Sequence, residues 1–175
     1  MDCPQNFKEF RPISLCNTIY KLITKIMVNR LCPYLYQIVG PHQSSFLPGK
    51  GTTDNAIILQ EAIHSMWKSK RKKGDMVFEI DLEKAYDHIN WDFLEFCLKR
   101  SGLPPITIKL IMHCVTSSSM SILWNEKRIP PIALTRGLKH GDPLSPYLFV
   151  ICMEALSQII NKEVNDVNQN PVRLA

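Results

Sequence analysis

The stretch that decides the fold is Phe78–Trp91, FEIDLEKAYDHINW. Its start belongs to MVFEID, a short run with Val77, Phe78 and Ile80 that reads as a β-strand ending at Asp81. A second aspartate, Asp87, follows six residues later. Two readings of Asp81 stand. A carboxylate at a strand tip can hold Mg²⁺, which takes hard oxygen ligands in near-octahedral geometry. An aspartate after an apolar run is also an ordinary turn former. Two-metal phosphoryl transfer sets its ions about 3.5–4 Å apart, so carboxylates must converge on them from separate segments. The connection LEKA brings Tyr86 to where its ring can fold back over a ligand. The residues alone leave both readings open.

Outward from this stretch the chain reads mostly as helix. NWDFLEFCLKRSG has Asn90 as cap, Asp92 and Glu95 early, Lys99 and Arg100 late, and Gly102 as stop. PPITIKLIMHCVTS reads as a helix opening at a proline. Upstream, Ile19, Leu22, Ile23, Ile26, Met27 and Leu31 keep helical spacing, with Asn17 as cap and Pro33 as the expected end. GPHQSSFLPGKGTTDN is a structured loop, and NAIILQEAIHSMW is a second amphipathic helix with Asp54 as candidate cap. Downstream, SMSILWNEKRIPPIAL reads as a hairpin around Asn125 to Arg128, without the usual Asn-Gly turn. Then Ser145 as cap and Pro146 at the first helical position begin a helix apolar nearly all round, hence buried. Helices with few, short, dispersed strands point to an α+β fold.

Bulk composition narrows the class. The 175 residues suffice for one domain with a sizeable core, and 45% are hydrophobic. A net charge of +5 permits an anionic partner such as nucleic acid without requiring one. Six scattered cysteines, Cys3, Cys16, Cys32, Cys97, Cys114 and Cys152, form no C-x-x-C pair, so reduced thiols in an intracellular protein are expected. No stretch has the pattern of a secretory signal, and YLFVICMEAL, interrupted by Glu154, is too short to span a bilayer. The expected localisation is nuclear or cytoplasmic, not secreted.

Three further motifs could carry chemistry. RGLKHGDPLSP, Arg136 to Pro146, leads through glycines into a capped helix; it fits an anionic or nucleotide ligand, or a tight connection packed for stability. His140 and Asp142 lack a third ligand nearby to make a metal site. FRPISL offers Arg11, a bidentate phosphate donor in principle. The basic run KSKRKK fits a phosphate contact or a solvated helix end.

In order along the chain, FRPISLCNTIYKLITKIMVNRL, GPHQSSFLPGKGTTDNAI, FEIDLEKAYDHINWDFL and RGLKHGDPLSPYLFVICMEALS closely resemble successive blocks of the reverse transcriptase domain of non-LTR (LINE-type) retrotransposons, particularly the type abundant in plant genomes. The resemblance runs from about Asn6 to Ile160. It implies a right-hand polymerase fold, with residues 1–70 as a fingers portion and 71–175 as a partial palm. It implies RNA-directed DNA polymerisation with Mg²⁺, an RNA template, a DNA primer and deoxynucleoside triphosphates. Asp81 matches the first catalytic aspartate, and the Leu82 carbonyl a further metal contact. There the primer 3′ hydroxyl attacks the α-phosphate of the nucleotide and pyrophosphate leaves. Tyr86 matches the steric gate that excludes a ribose 2′-hydroxyl. Arg11 matches a triphosphate-gripping arginine, and His140 and Gly141 the loop under nucleotide and template base. Gln43, Phe46 and Lys50 match the template-side fingers block. Asp87 belongs to the same motif, in a position that points to a structural hydrogen bond.

The chain departs from the family pattern in three places. His140 stands where glutamine is common, and Lys50 where arginine is common, which keeps charge but loses bidentate geometry. The family's Tyr/Phe-Ala-Asp-Asp block would follow soon after PVRLA, and no Asp-Asp pair occurs anywhere in the chain. The expectation is therefore a fragment of the domain, inactive alone. A competing reading is a non-catalytic RNA- or DNA-binding relict using Arg11, Lys50 and the basic run. A third is another Mg²⁺-dependent phosphotransferase or nuclease built on Asp81 and Asp142.

Overall fold

Leu35, Leu94, Ile111, Leu148 and Ile151, from four different helices, meet in one almost solvent-free core. The computed structural model describes residues 14–41, 43–47, 49, 51–68, 76–117 and 119–166. Helix α1 spans Thr18–Ile38, α2 Thr52–Lys68, α3 Ala85–His88, α4 Trp91–Arg100 and α5 Pro105–Thr116. Four two-residue strands follow, β1 Ser119–Met120, β2 Leu123–Trp124, β3 Lys127–Arg128 and β4 Ile132–Ala133, and then α6 Ser145–Asp166. The element content is mixed, helical with few and short strands.

Capping chemistry explains most helix starts. The Asn17 side chain accepts from the Ile19 amide at α1, and Asn90 accepts from the Asp92 and Phe93 amides at α4. At α4 the first turn carries Asp92 and the last Lys99 and Arg100, each favourable toward the helix dipole. Pro105 opens α5, where its missing N–H leaves nothing unsatisfied.

Three expectations need correction. Pro33 does not end α1; the helix runs through it to Ile38, and the gain is burial of Leu35 and Val39. Asp54 is not the cap of α2 but lies in its first turn, since the helix already begins at Thr52. At α6 the loop carboxylate of Asp142 accepts from the Leu144 amide and its carbonyl from Ser145, so Asp142 does the work expected of Ser145.

Residues 76–81, read from sequence as a strand, have no ladder partner among the described residues. Phe78 is 81% exposed, and Val77 and Ile80 are exposed beside it. Alternation marks a segment fit for a sheet, but a strand forms only against another strand. The hairpin is present: β1 pairs antiparallel with β4 (Ser119 opposite Ala133) and β2 with β3 (Trp124 opposite Lys127). Its turn uses Asn125 and Glu126, both left-handed at φ 45° and 64°.

Burial is uneven. Helix α4 packs against α5 and α6, and the first half of α6 is buried through Leu148, Val150, Ile151, Cys152 and Ala155. Its second half is not, with Leu156, Ile159 and Ile160 exposed, so the expectation of a buried helix holds for its first half only. Helix α2 buries no residue, and Trp67 is 89% exposed. The five described cysteines are free thiols, with Cys97 and Cys152 in the core. No helix among the described residues is long and apolar enough to cross a membrane.

Candidate active site

The site is assembled by a loop docking onto a turn. Lys84, left-handed at φ 48°, reverses the chain after Asp81 and starts α3. Two backbone bonds then tie the 136–141 loop to α3: Leu138 N–H donates to the Tyr86 carbonyl and Gly137 N–H to the Ile89 carbonyl, each at 2.8 Å. The Trp91 indole N–H donates to the Gly137 carbonyl at 2.9 Å. Gly137 has φ 89°, and a Cβ there would stand 3.0 Å from the Asp87 carbonyl oxygen. Only glycine joins that backbone angle to that approach.

Four side chains meet here, Tyr86 and Asp87 from α3, His140 from the loop and Phe149 from α6. The Tyr86 ring stacks on Phe149 at 4.8 Å and lies 5.3 Å from the His140 ring on a tilted plane. Burial pushes the Tyr86 phenol pKa up. His140 Nε2 stands 3.2 Å from Asp87 Oδ1. A carboxylate oxygen accepts here when Nε2 is the ring nitrogen that carries the hydrogen. The structural hydrogen bond expected of Asp87 is therefore present, and its partner is His140. Asp87, Gly137 and His140 line a hollow of about 350 Å³ with Arg136, Lys139 and Ser14.

Asp142 and Tyr20 form a second polar centre. Asp142, 5% exposed, accepts from the Tyr20 hydroxyl at 3.0 Å and from the Leu144 amide at 3.1 Å. Burial, then the Asp142 charge, push the Tyr20 phenol far above its ordinary value. The same two causes, in that order, raise the Cys114 thiol pKa. Lys139 Nζ sits 4.0 Å over the Tyr20 ring. Asp142 is thus engaged in holding α1 to the loop, which leaves little for a metal. His140 accepts through its carbonyl from the Ser14 amide at 3.2 Å. Beside it, a Cβ on Gly141 would meet the Ser14 carbonyl oxygen at 2.9 Å.

Asp81 is exposed and lines a different hollow, of about 440 Å³, with Leu82, Glu83, His88, Asn90 and Met153. The described residues include no group of three His, Cys, Asp or Glu side chains able to hold a metal ion. Asp81 and Glu83 are the carboxylate-bearing residues that line this hollow, and two carboxylates fall short of a magnesium site by themselves. Phe46 is exposed and left-handed at φ 61°, an uncommon angle for a bulky residue. Gln43 is half-buried, its amide donating to the Gly40 carbonyl. Arg11, Lys50 and residues 69–73 of the basic run lie outside the described residues.

Sequence reasoning missed Phe149, Trp91 and Glu154. The Glu154 carboxylate accepts from the Gly40 amide at 3.0 Å and from the Gln158 side chain at 3.1 Å, fastening α6 to the loop after α1. Its signal was visible, as the one charge interrupting YLFVICMEAL.

A family model described as "Reverse transcriptase (RNA-dependent DNA polymerase)" matches residues 4–172. The chain is 27% identical over 158 residues to the "Transposon TX1 uncharacterized 149 kDa protein" of Xenopus laevis, covering 90% of this chain and 12% of that protein. It is 28% identical over 160 residues to the "Retrovirus-related Pol polyprotein from type-2 retrotransposable element R2DM" of Drosophila melanogaster, covering 90% and 14%. It is 27% identical over 146 residues to the "Probable RNA-directed DNA polymerase from transposon BS" of the same fly, covering 82% and 16%. The chain therefore spans less than a fifth of each of these relatives.

Proposed function

The chain belongs to the reverse transcriptase (RNA-dependent DNA polymerase) family, with relatives in non-LTR retrotransposons, and from that premise we propose that it supplies the nucleotide- and template-facing part of an RNA-directed DNA polymerase. The observation that carries the reading is the docking of the 136–141 loop on α3, which gathers Tyr86, Asp87 and His140 one turn beyond Asp81. Residues 1–70 act as fingers and 71–175 as palm.

Within that reading Tyr86 faces the sugar of an incoming deoxynucleotide and excludes a 2′-hydroxyl by its bulk. His140 and Gly141 lie under the base, and Gln43, Phe46 and Lys50 face the template. Arg11 grips the triphosphate through paired N–H groups. Asp81 and the Leu82 carbonyl are the donors this chain offers to Mg²⁺, which when bound compensates the charge that builds on the transferring phosphate. The two donors do not complete that site, and the 175 residues hold no Asp-Asp pair. Polymerisation accordingly needs carboxylates from outside these residues.

Purified chain, given an RNA template, a DNA primer, deoxynucleotides and Mg²⁺, is expected to bind the template–primer but not to extend it. Template-dependent extension that Asp81→Ala abolishes would contradict the incomplete-site account. Binding unaffected by salt between low and physiological ionic strength would contradict the template contact, because phosphate-driven binding weakens steeply over that range.

A further inference from the structure

The Tyr86 ring has two ring neighbours: Phe149, stacked at 4.8 Å and 17°, and His140, tilted by 31° at 5.3 Å. Phe149 sits on α6, between the buried Leu148 and Val150, and is fixed by the fold. The His140 ring is held differently. Among the described residues its one side-chain hydrogen bond runs from Nε2 to Asp87 Oδ1 at 3.2 Å, made across 53 residues of sequence. The two side chains are only partly covered, at 33% and 36% exposure, and line the hollow that also holds Arg136 and Lys139. A pair serving the core alone would be hidden from that hollow.

We infer that His140, oriented by Asp87, is a positioning residue that fixes the Tyr86 ring and so sets discrimination between deoxyribonucleotides and ribonucleotides. The inference rests on the reading of Tyr86 as the residue facing the sugar. Exclusion of one hydroxyl needs a ring placed to within about 0.5 Å. A histidine released from Asp87 can hop between staggered rotamers, which displaces its ring by more than that. Tyr86 then has room to tilt toward His140, and a 2′-hydroxyl is admitted. Loss of the pair therefore increases ribonucleotide binding and leaves deoxyribonucleotide binding in place.

The test is nucleotide binding to the purified chain with Mg²⁺, followed by nuclear magnetic resonance with ¹³C-labelled tyrosine rings and with amide spectra to verify folding. Wild type is expected to prefer dGTP over GTP by roughly tenfold, within the range a single added hydroxyl supports. Asp87→Ala and His140→Ala should reduce the ratio several-fold by tightening GTP, and both should move the Tyr86 ring signals. Asp87→Asn, whose carbonyl still accepts from Nε2, should restore the ratio. A ratio unchanged in Asp87→Ala and His140→Ala, or a parallel loss of both nucleotides, overturns the inference while leaving the gate standing, provided Tyr86→Ala abolishes the preference. A preference that survives Tyr86→Ala, or wild type that binds neither nucleotide, overturns the reading of Tyr86 and the inference together.

Discussion

The Tyr20 hydroxyl donates to the buried Asp142 carboxylate at 3.0 Å, joining α1 to the loop before α6 across 122 residues of sequence. Tyr20→Phe removes this donor and leaves the carboxylate with the Leu144 amide. Hydrogen bonds to charged groups are worth about 1.5–3 kcal/mol, so urea denaturation should report a loss of that size. The difference from wild type should also depend on pH. The Tyr20 phenol is raised in the folded state from an ordinary 10.0, so its contribution is complete below pH 10 and declines as pH rises above it. Wild type and Tyr20→Phe should converge in stability with increasing alkalinity.

Gly141 has φ 89°, and its missing Cβ would lie 2.9 Å from a backbone oxygen of Ser14. Gly141→Ala therefore meets both a disfavoured angle and a clash with main chain. A destabilisation of about 1–3 kcal/mol is expected, with weakened amide-exchange protection at Ser14. Gly102→Ala is the control. Gly102 shares the positive φ, at 73°, but a Cβ there meets nothing within 4 Å, and its cost should be the smaller of the two by thermal denaturation.

Phe78 is 81% exposed on a segment without a strand partner among the described residues. Phe78→Ser should change folding stability by less than about 0.5 kcal/mol, the usual range for surface positions. It should lower self-association in sedimentation velocity, since unpaired apolar strand segments template aggregation. Leu94→Ala is the opposite case: the side chain is fully buried on α4, and about 2–5 kcal/mol should be lost in urea denaturation.

These contrasts show what the sequence disclosed. Helix starts at Asn17, Asn90 and Pro105 were legible because capping is local. Pro33 misled because burial of Leu35 outweighs a lost backbone bond, and that balance is tertiary. The strand over 76–81 was legible as a tendency, but pairing needs a partner that local alternation does not supply. At the site, the motif spacing put Tyr86 and Asp87 near Asp81. It could not show that Asp87 bonds His140, a contact made where Gly137 lets the loop close on α3, or that Phe149 of α6 stacks on Tyr86, because both are tertiary contacts between segments far apart in sequence.

The central proposal is that Asp81, not Asp87 or Asp142, is the carboxylate this chain offers to the catalytic metal. The direct measurement is paramagnetic broadening of amide signals by Mn²⁺, a substitute for Mg²⁺, in wild type and in Asp81→Asn. The account predicts broadening centred on residues 81–83 that Asp81→Asn removes. Broadening centred on Asp87 or Asp142, or broadening at 81–83 that persists in Asp81→Asn, would contradict it.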